Sequence, residues 1–213
     1  NTFSGGSQHL VINGLGGYVP PFWIMYNHFY PTYQNTGTGV WARKVHGYFK
    51  NNIFYDTDFG VAGFGNAITF TECYLQMLEN TLKSSQTNLN LLGTSSINMQ
   101  PADYGQGQYF WNAGRNKFYL ENTGDASESN INFGDGCVLA GDKGENCFYL
   151  PAPVKNNRHI TGVIPGGDVL NMTVNYWQPT PPIYELYGET MGYEPYLGDC
   201  FGTAPISTNY DVM

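Results

Sequence analysis

Apolar and polar residues alternate over short stretches along most of the chain, and the stretches end in clusters of Gly, Pro, Asn and Asp. A period of two puts successive side chains on opposite faces of an extended strand, so the pattern predicts many short strands joined by turns. Gln8 to Ile12, Phe22 to Tyr30, Val40 to Phe49, Ile53 to Phe59, Gln108 to Trp111, Lys117 to Glu121, Asn130 to Phe133 and His159 to Ile164 all read this way. The clearest case is Val169 to Trp177, where Leu170, Met172, Val174 and Tyr176 alternate with Asn171, Thr173 and Asn175, as a strand with one buried and one wet face requires. Thr69 to Lys83 fits a short helix as well as a strand, because Thr69 and Glu72 stand at capping-box spacing and Leu75, Leu78 and Leu82 follow at helical intervals. Many strands with at most one or two short helices predict an all-β sandwich or jelly roll.

The 213 residues suffice for one large β domain or two small ones. The Ser-, Thr-, Asn- and Gln-rich stretch from Lys83 to Tyr104 is the candidate boundary, yet it carries Leu89, Leu91, Leu92, Ile97 and Met99, which a free linker would not need. One domain over 1–213 is therefore the preferred division, with 1–100 and 101–213 as the alternative.

Charge narrows the partners. Nine Lys and Arg against 17 Asp and Glu give a formal net charge of −8, which repels phosphate backbones and anionic membranes, so neither nucleic acid nor a membrane surface is expected as a partner. The longest apolar stretch, Val19 to Tyr30, is too short and too interrupted to span a bilayer as a helix. The sequence opens with Asn1, as removal of an export signal or cleavage from a precursor would leave it.

Four cysteines allow three pairings. Cys137 and Cys147 flank a Gly-Asp-Lys-Gly-Glu centre that reads as a hairpin turn, so the simplest scheme bridges Cys137 to Cys147 and leaves Cys73 to pair with Cys200. Disulfides imply an oxidising, extracellular setting.

Catalytic and metal chemistry find little footing. No Gly-x-Ser-x-Gly elbow is present, and His9, His28, His46 and His159 lack metal-ligand spacing, so no catalytic residue, metal or cofactor is assigned. Asp56 with Asp58, and Glu185, Glu189 and Glu194, are carboxylates close enough in sequence to be weighed as pairs, and solvated loop edges account for them as well. Trp177, Tyr184, Tyr187, Tyr193 and Tyr196 bring aromatic faces together near the C-terminal end, which suits glycan stacking, a protein interface or a core. Asn171-Met172-Thr173 is a glycosylation acceptor pattern.

Two segments carry a family resemblance. The run Lys117-Phe-Tyr-Leu-Glu-Asn-Thr-Gly-Asp-Ala-Ser-Glu-Ser-Asn-Ile-Asn-Phe, followed by Ile164-Pro-Gly-Gly-Asp-Val-Leu-Asn-Met-Thr-Val-Asn-Tyr, resembles the CARDB-type immunoglobulin-like repeats of prokaryotic, especially archaeal, surface proteins. It covers about sixty residues, and the cysteine-flanked segment interrupts it. The resemblance implies an immunoglobulin-like sandwich that serves as a spacer, adhesive module or filament subunit outside the cell. In such filaments an N-terminal strand can complete a neighbour's sheet, and here the candidate donor lies within about residues 1–14, with Leu10, Val11 and Ile12 at its centre.

These readings converge on a non-catalytic, extracellular homopolymer, a filament or surface assembly that can also meet glycans or cell surfaces. The alternatives are a viral capsid or spike jelly roll and a carbohydrate-binding module.

Overall fold

The structure, a computed structural model, describes residues 1–3, 8–14, 22–30, 38–54, 64–71, 73–99, 114–120, 128–135, 137–141, 145–152, 154–163, 170–172, 175–187, 191–192 and 200. Within these the chain is all strand and turn. In chain order the strands are β1 (Thr2–Phe3), β2 (Gln8–Asn13), β3 (Phe22–Met25), β4 (His28–Phe29), β5 (Thr38–Arg43), β6 (His46–Lys50), β7 (Ile53–Phe54), β8 (Phe64–Thr71), β9 (Tyr74–Leu78) and β10 (Thr81–Leu92). They continue with β11 (Ser96–Asn98), β12 (Lys117–Leu120), β13 (Ser129–Phe133), β14 (Val138–Gly141), β15 (Cys147–Tyr149), β16 (Arg158–Val163), β17 (Leu170–Asn171), β18 (Tyr176–Gln178), β19 (Tyr184–Tyr187) and β20 (Met191–Gly192).

Every strand pair is parallel, and partners lie one circuit of the chain apart rather than one turn apart. One run of the 13-stranded sheet stacks β1-β4-β7-β10-β12-β15-β18, and the second half of long β10 joins another run through β2, β5, β8, β13, β16 and β19. A separate sheet stacks β14-β11-β9-β6-β3, and β17 pairs β20. This is a β-solenoid. It replaces the predicted immunoglobulin-like or jelly-roll sandwich, because alternation tells which side chains turn inward but not which strand lies alongside. A sandwich closes two antiparallel sheets over each other; here successive strands turn a corner, and the chain pairs with itself one level up.

Register turns the alternation into columns. Leu10, Val40, Ile68, Leu89, Ile131, Ile160 and Tyr184 follow one another in register across the sheet, and Ile12, Ala42, Phe70, Leu91, Phe133, Gly162 and Leu186 form the next register column. Val40, Ala42, Leu89, Leu91, Ile131, Phe133 and Ile160 are fully buried. On the adjoining face the rings of Phe3, Phe29 and Phe54 stack at 4.8 and 4.5 Å, Leu82 interrupts, and Phe118, Phe148 and Trp177 resume at 4.9 and 4.5 Å. Fully burying a side chain of this size contributes about 1.5 to 3 kcal/mol, so these columns are the main source of cohesion. Gly162, at φ +142°, has no room for a side chain, because a Cβ there would run into the Phe133 backbone.

Three local expectations change. The helical alternative over Thr69 to Lys83 gives way to the end of β8, then β9 and the start of β10, with the chain turning a corner at Glu79 (φ 54°). The segment between Cys137 and Cys147 is no hairpin: β14 pairs β11 while β15 pairs β12, in different sheets. Val169 to Trp177 is not one continuous strand, since β17 and β18 belong to separate sheets, and Asn175, expected on a wet face, is fully buried. Residues 108–111 and 55–59 of the predicted strands lie outside the described residues.

Candidate functional site

The most regular construction in the molecule is a column of asparagines at the corner that leads into the β1 run. Asn1 Nδ2 donates to Asn27 Oδ1 (3.1 Å), Asn27 Nδ2 to Asn52 Oδ1 (3.1 Å), Asn52 Nδ2 to Asn80 Oδ1 (3.0 Å), Asn80 Nδ2 to Asn116 Oδ1 (2.9 Å), Asn116 Nδ2 to Asn146 Oδ1 (2.9 Å) and Asn146 Nδ2 to Asn175 Oδ1 (3.0 Å). Each Oδ1 from Asn52 to Asn175 also accepts the backbone N–H of the asparagine one level below, at 2.9 to 3.1 Å. The second Nδ2 hydrogen goes to a main-chain carbonyl: Ile24 for Asn52, Phe49 for Asn80, Met77 for Asn116. A primary amide has two donors and an acceptor with two lone pairs, and this geometry uses all of them in a corner closed to water.

The residue before each ladder asparagine from Asn27 to Asn146 is what lets the chain turn. Tyr26, Asn51, Glu79, Arg115 and Glu145 all have φ between 48° and 56°, the left-handed region that non-glycine residues enter only at a cost. Extended backbone resumes at once, and two residues beyond the asparagine stands Phe29, Phe54, Leu82, Phe118, Phe148 or Trp177 of the ring stack. The sequence signal is thus Asn-x-Phe-Tyr, present at Asn27, Asn52, Asn116 and Asn146 and varied at Asn80 and Asn175.

A buried histidine closes the last level. His159 is fully buried, accepts the Ile183 backbone N–H at Nδ1 (2.9 Å), places Nε2 3.1 Å from the Gln178 carbonyl, and meets the Trp177 ring edge-on. With Nδ1 accepting, Nε2 carries the proton and donates to Gln178. Burial lowers its pKa to about 4, against the two backbone contacts that raise it, so the ring is neutral near pH 7. It pins both ends of the Pro179 to Pro182 segment, beside which Pro179, Thr180, Pro181, Pro182, Ile183 and Tyr184 line a shallow open groove of about 390 Å³.

The outward face of β3, β6 and β9 gathers exposed aromatic side chains. Trp23, 47% exposed, stacks on Tyr48 at 4.2 Å, and His46 meets the Tyr74 ring edge-on at 5.8 Å. Met25 lies in register with Lys50 on the same face. Spacing alone did not single out this cluster, since its members come from separate strands; the signal available was the odd-position alternation of Trp23 and Met25 against Phe22 and Ile24.

The residues named from sequence are dispersed. Cys147 bonds to Cys200, a bridge spanning 53 residues, in place of the expected Cys137–Cys147 and Cys73–Cys200 pairs. Cys73 and Cys137 are buried thiols outside that bridge, Cys73 Sγ lying 3.4 Å from the Ala42 carbonyl and Cys137 Sγ 3.1 Å from that of Gly93. The expected scheme fails because the two arms it joined belong to different sheets. Trp177 is a core ring rather than a surface one, whereas Tyr184 and Tyr187 are exposed on β19, with the Tyr187 hydroxyl donating to Glu185 (2.9 Å). Tyr193, Tyr196, Asp56, Asp58, Glu189 and Glu194 lie outside the described residues. Leu10, Val11 and Ile12 sit in β2, paired with β5 of their own chain, Leu10 and Ile12 packing against the core and Val11 exposed. Asn171, the glycosylation candidate, is in β17 opposite Gly192. Among the described residues no three His, Cys, Asp or Glu side chains gather as metal ligands would, and no helix is long and apolar enough to cross a membrane.

No protein-family model, curated protein or solved structure matches the chain.

Proposed function

We propose that this chain is a non-catalytic structural subunit of an extracellular assembly in which solenoids stack end on end. The observation that carries the reading is the likeness of the two end strands of the long sheet. Among the described residues β2 pairs only with β5 and β19 only with β16, so each offers one open parallel edge of N–H and C=O groups. The columns agree across that gap: Leu10 and Tyr184 share one register column, and Ile12 and Leu186, both packed against the core, share the next. A second copy placed level on level would extend both columns, and an open head-to-tail contact propagates into a fibre rather than closing into a shell. The Cys147–Cys200 bridge agrees with an oxidising compartment outside the cell.

The test follows from hydrogen-bond direction. Gly14 N–H donates to the Arg43 carbonyl, and in a parallel strand groups two residues apart point the same way, so the N–H of Val11 faces the open edge. Val11→Pro removes one donor from that edge and none from the β2–β5 ladder, a position where an edge strand tolerates proline. Electron microscopy and sedimentation should show fibres from the parent chain and monomers from Val11→Pro, with unchanged thermal melting. A parent chain that stays monomeric at all concentrations, one that forms icosahedral particles, or a variant that polymerises as well as the parent would each sink the reading.

A further inference from the structure

In a chain of net charge −8, the segment Arg43-Lys44-Val45-His46-Gly47-Tyr48-Phe49-Lys50 holds three cations and no acid. It forms the end of β5, a corner and β6, and on β6 His46 and Lys50 share the outward face with Tyr48, which stacks on Trp23. Arg43, Lys44 and His46 are exposed and Lys50 is half-buried; among the described residues neither His46 nor Lys50 takes part in an ion pair. Trp23 is one of the most exposed large apolar side chains described, beside Met25 at 39% and Tyr74 at 39%. Half-exposed rings held by stacking, beside a lysine and an imidazole, join apolar faces to positive charge on one surface.

We propose that the outward face of β3, β6 and β9 binds an acidic polysaccharide whose carboxylates are spaced along the chain rather than placed on every unit. Sugar rings present C–H faces that pack on indole and phenol rings, and their hydroxyls suit the His46 ring nitrogens and the Tyr74 hydroxyl. A carboxylate meets Lys50, the one Lys or Arg on β3, β6 and β9, which lies two residues from Tyr48 along β6. A nucleic acid carries a phosphate on every unit, so most of its charges along this face would meet an acidic protein with no counter-charge. A neutral glycan would leave the Lys50 ammonium unmatched. A sparsely charged polymer matches both the rings and the single cation. The assignment is independent of whether solenoids stack, since it uses an outward face and not an edge.

The experiment is affinity electrophoresis of the full chain through gels containing hyaluronan, which has a carboxylate on every second sugar, with dextran and single-stranded oligo(dT) as the other arms. Hyaluronan should retard the parent chain, dextran and oligo(dT) should not, and added salt should release it. Trp23→Ala and Lys50→Glu should each weaken retention about tenfold, while Tyr187→Ala, in another sheet, should leave it unchanged. Both substitutions are at surface positions, and thermal melting verifies the fold of each variant. No retention by hyaluronan, equal or stronger retention by dextran or oligo(dT), or a folded Lys50→Glu that binds as the parent does would overturn the proposal.

Discussion

Two corners of the solenoid meet the same demand in different ways. At the corner before the β1 run, each level from Asn27 to Asn146 places an asparagine whose amide bonds the level above, the level below and a main-chain carbonyl. At the corner before β6, β9, β11 and β14 stand Val45, Cys73, Ser95 and Cys137, all buried and chemically unlike one another. Backbone bonds bridge levels at both corners, Ile53 N–H to the Asn27 carbonyl (2.9 Å) at the first and Tyr74 N–H to the Val45 carbonyl (3.0 Å) at the second. The first corner fixes identity because the N–H of each asparagine from Asn27 to Asn146 is taken up by the Oδ1 of the next one; at the second, unlike small side chains fill the position, and Ser95 Oγ takes the Cys73 N–H. The same contrast explains why Cys73 and Cys137 remain apart: Ser95 stands between them in the column, so they are two levels, about 10 Å, distant, beyond disulfide reach.

The contrast is sharpest in the cost of an alanine. Asn116→Ala strips partners from the Asn80 amide and backbone N–H, the Met77 carbonyl and the Asn146 side chain, all buried. At about 1 to 3 kcal/mol for each group left without a partner, partly relieved by rearrangement, a loss of about 4 kcal/mol in denaturant-measured stability is expected. A loss under about 1 kcal/mol would show that the ladder ornaments the corner and does not hold it.

A third corner mixes the two solutions and adds a titrating group. Asn88 Nδ2 donates to Asn130 Oδ1 (2.7 Å), and at the next level His159 takes the position in register with them. Its folded pKa, about 4, lies below the ordinary 6.5, so between those values the unfolded chain binds more protons and stability falls as pH falls. The His159 contribution is whole above about pH 6.5 and gone below about pH 4, a loss of about 3 kcal/mol that thermal melting across this range should register. His159→Gln should flatten that part of the pH dependence; an unchanged slope would remove His159 as its source.

Ser95→Ala is the smallest effect. Ser95 Oγ accepts the Cys73 backbone N–H (3.1 Å) and donates to the Leu92 carbonyl (2.8 Å), so alanine leaves one buried donor unmet and should cost about 1 to 2 kcal/mol. A cost equal to that of Asn116→Ala would erase the distinction between the corners.

Much of the local structure was legible in the sequence and little of the assembly of strands was. The alternation in Asn130 to Phe133 and His159 to Ile164 located strands and their inward side chains, because period two is a property of a single strand, whereas Val40 to Phe49 and Phe22 to Tyr30, each expected as one strand, turn a corner between two sheets. Partner choice is not local. The Asn-x-Phe-Tyr repeat would have revealed it, but the ladder asparagines are 26, 25, 28, 36, 30 and 29 residues apart, and Leu82 and Trp177 replace the phenylalanine at two levels. Leu75, Leu78 and Leu82 mimicked a helix across a corner, and Asn175 looked like surface because asparagine usually is. Of the candidate ligand face, only single exposed rings could be read, since Trp23, Tyr48 and Tyr74 become neighbours through register alone.

The ladder also has a sense of direction. Each Nδ2 points toward the asparagine later in sequence, so the amide dipoles add along the axis instead of cancelling, and the column is a vector with a donor-rich and an acceptor-rich end. Two copies meeting with the same end would set like poles against each other. Joined in sequence order, they would continue one field through both.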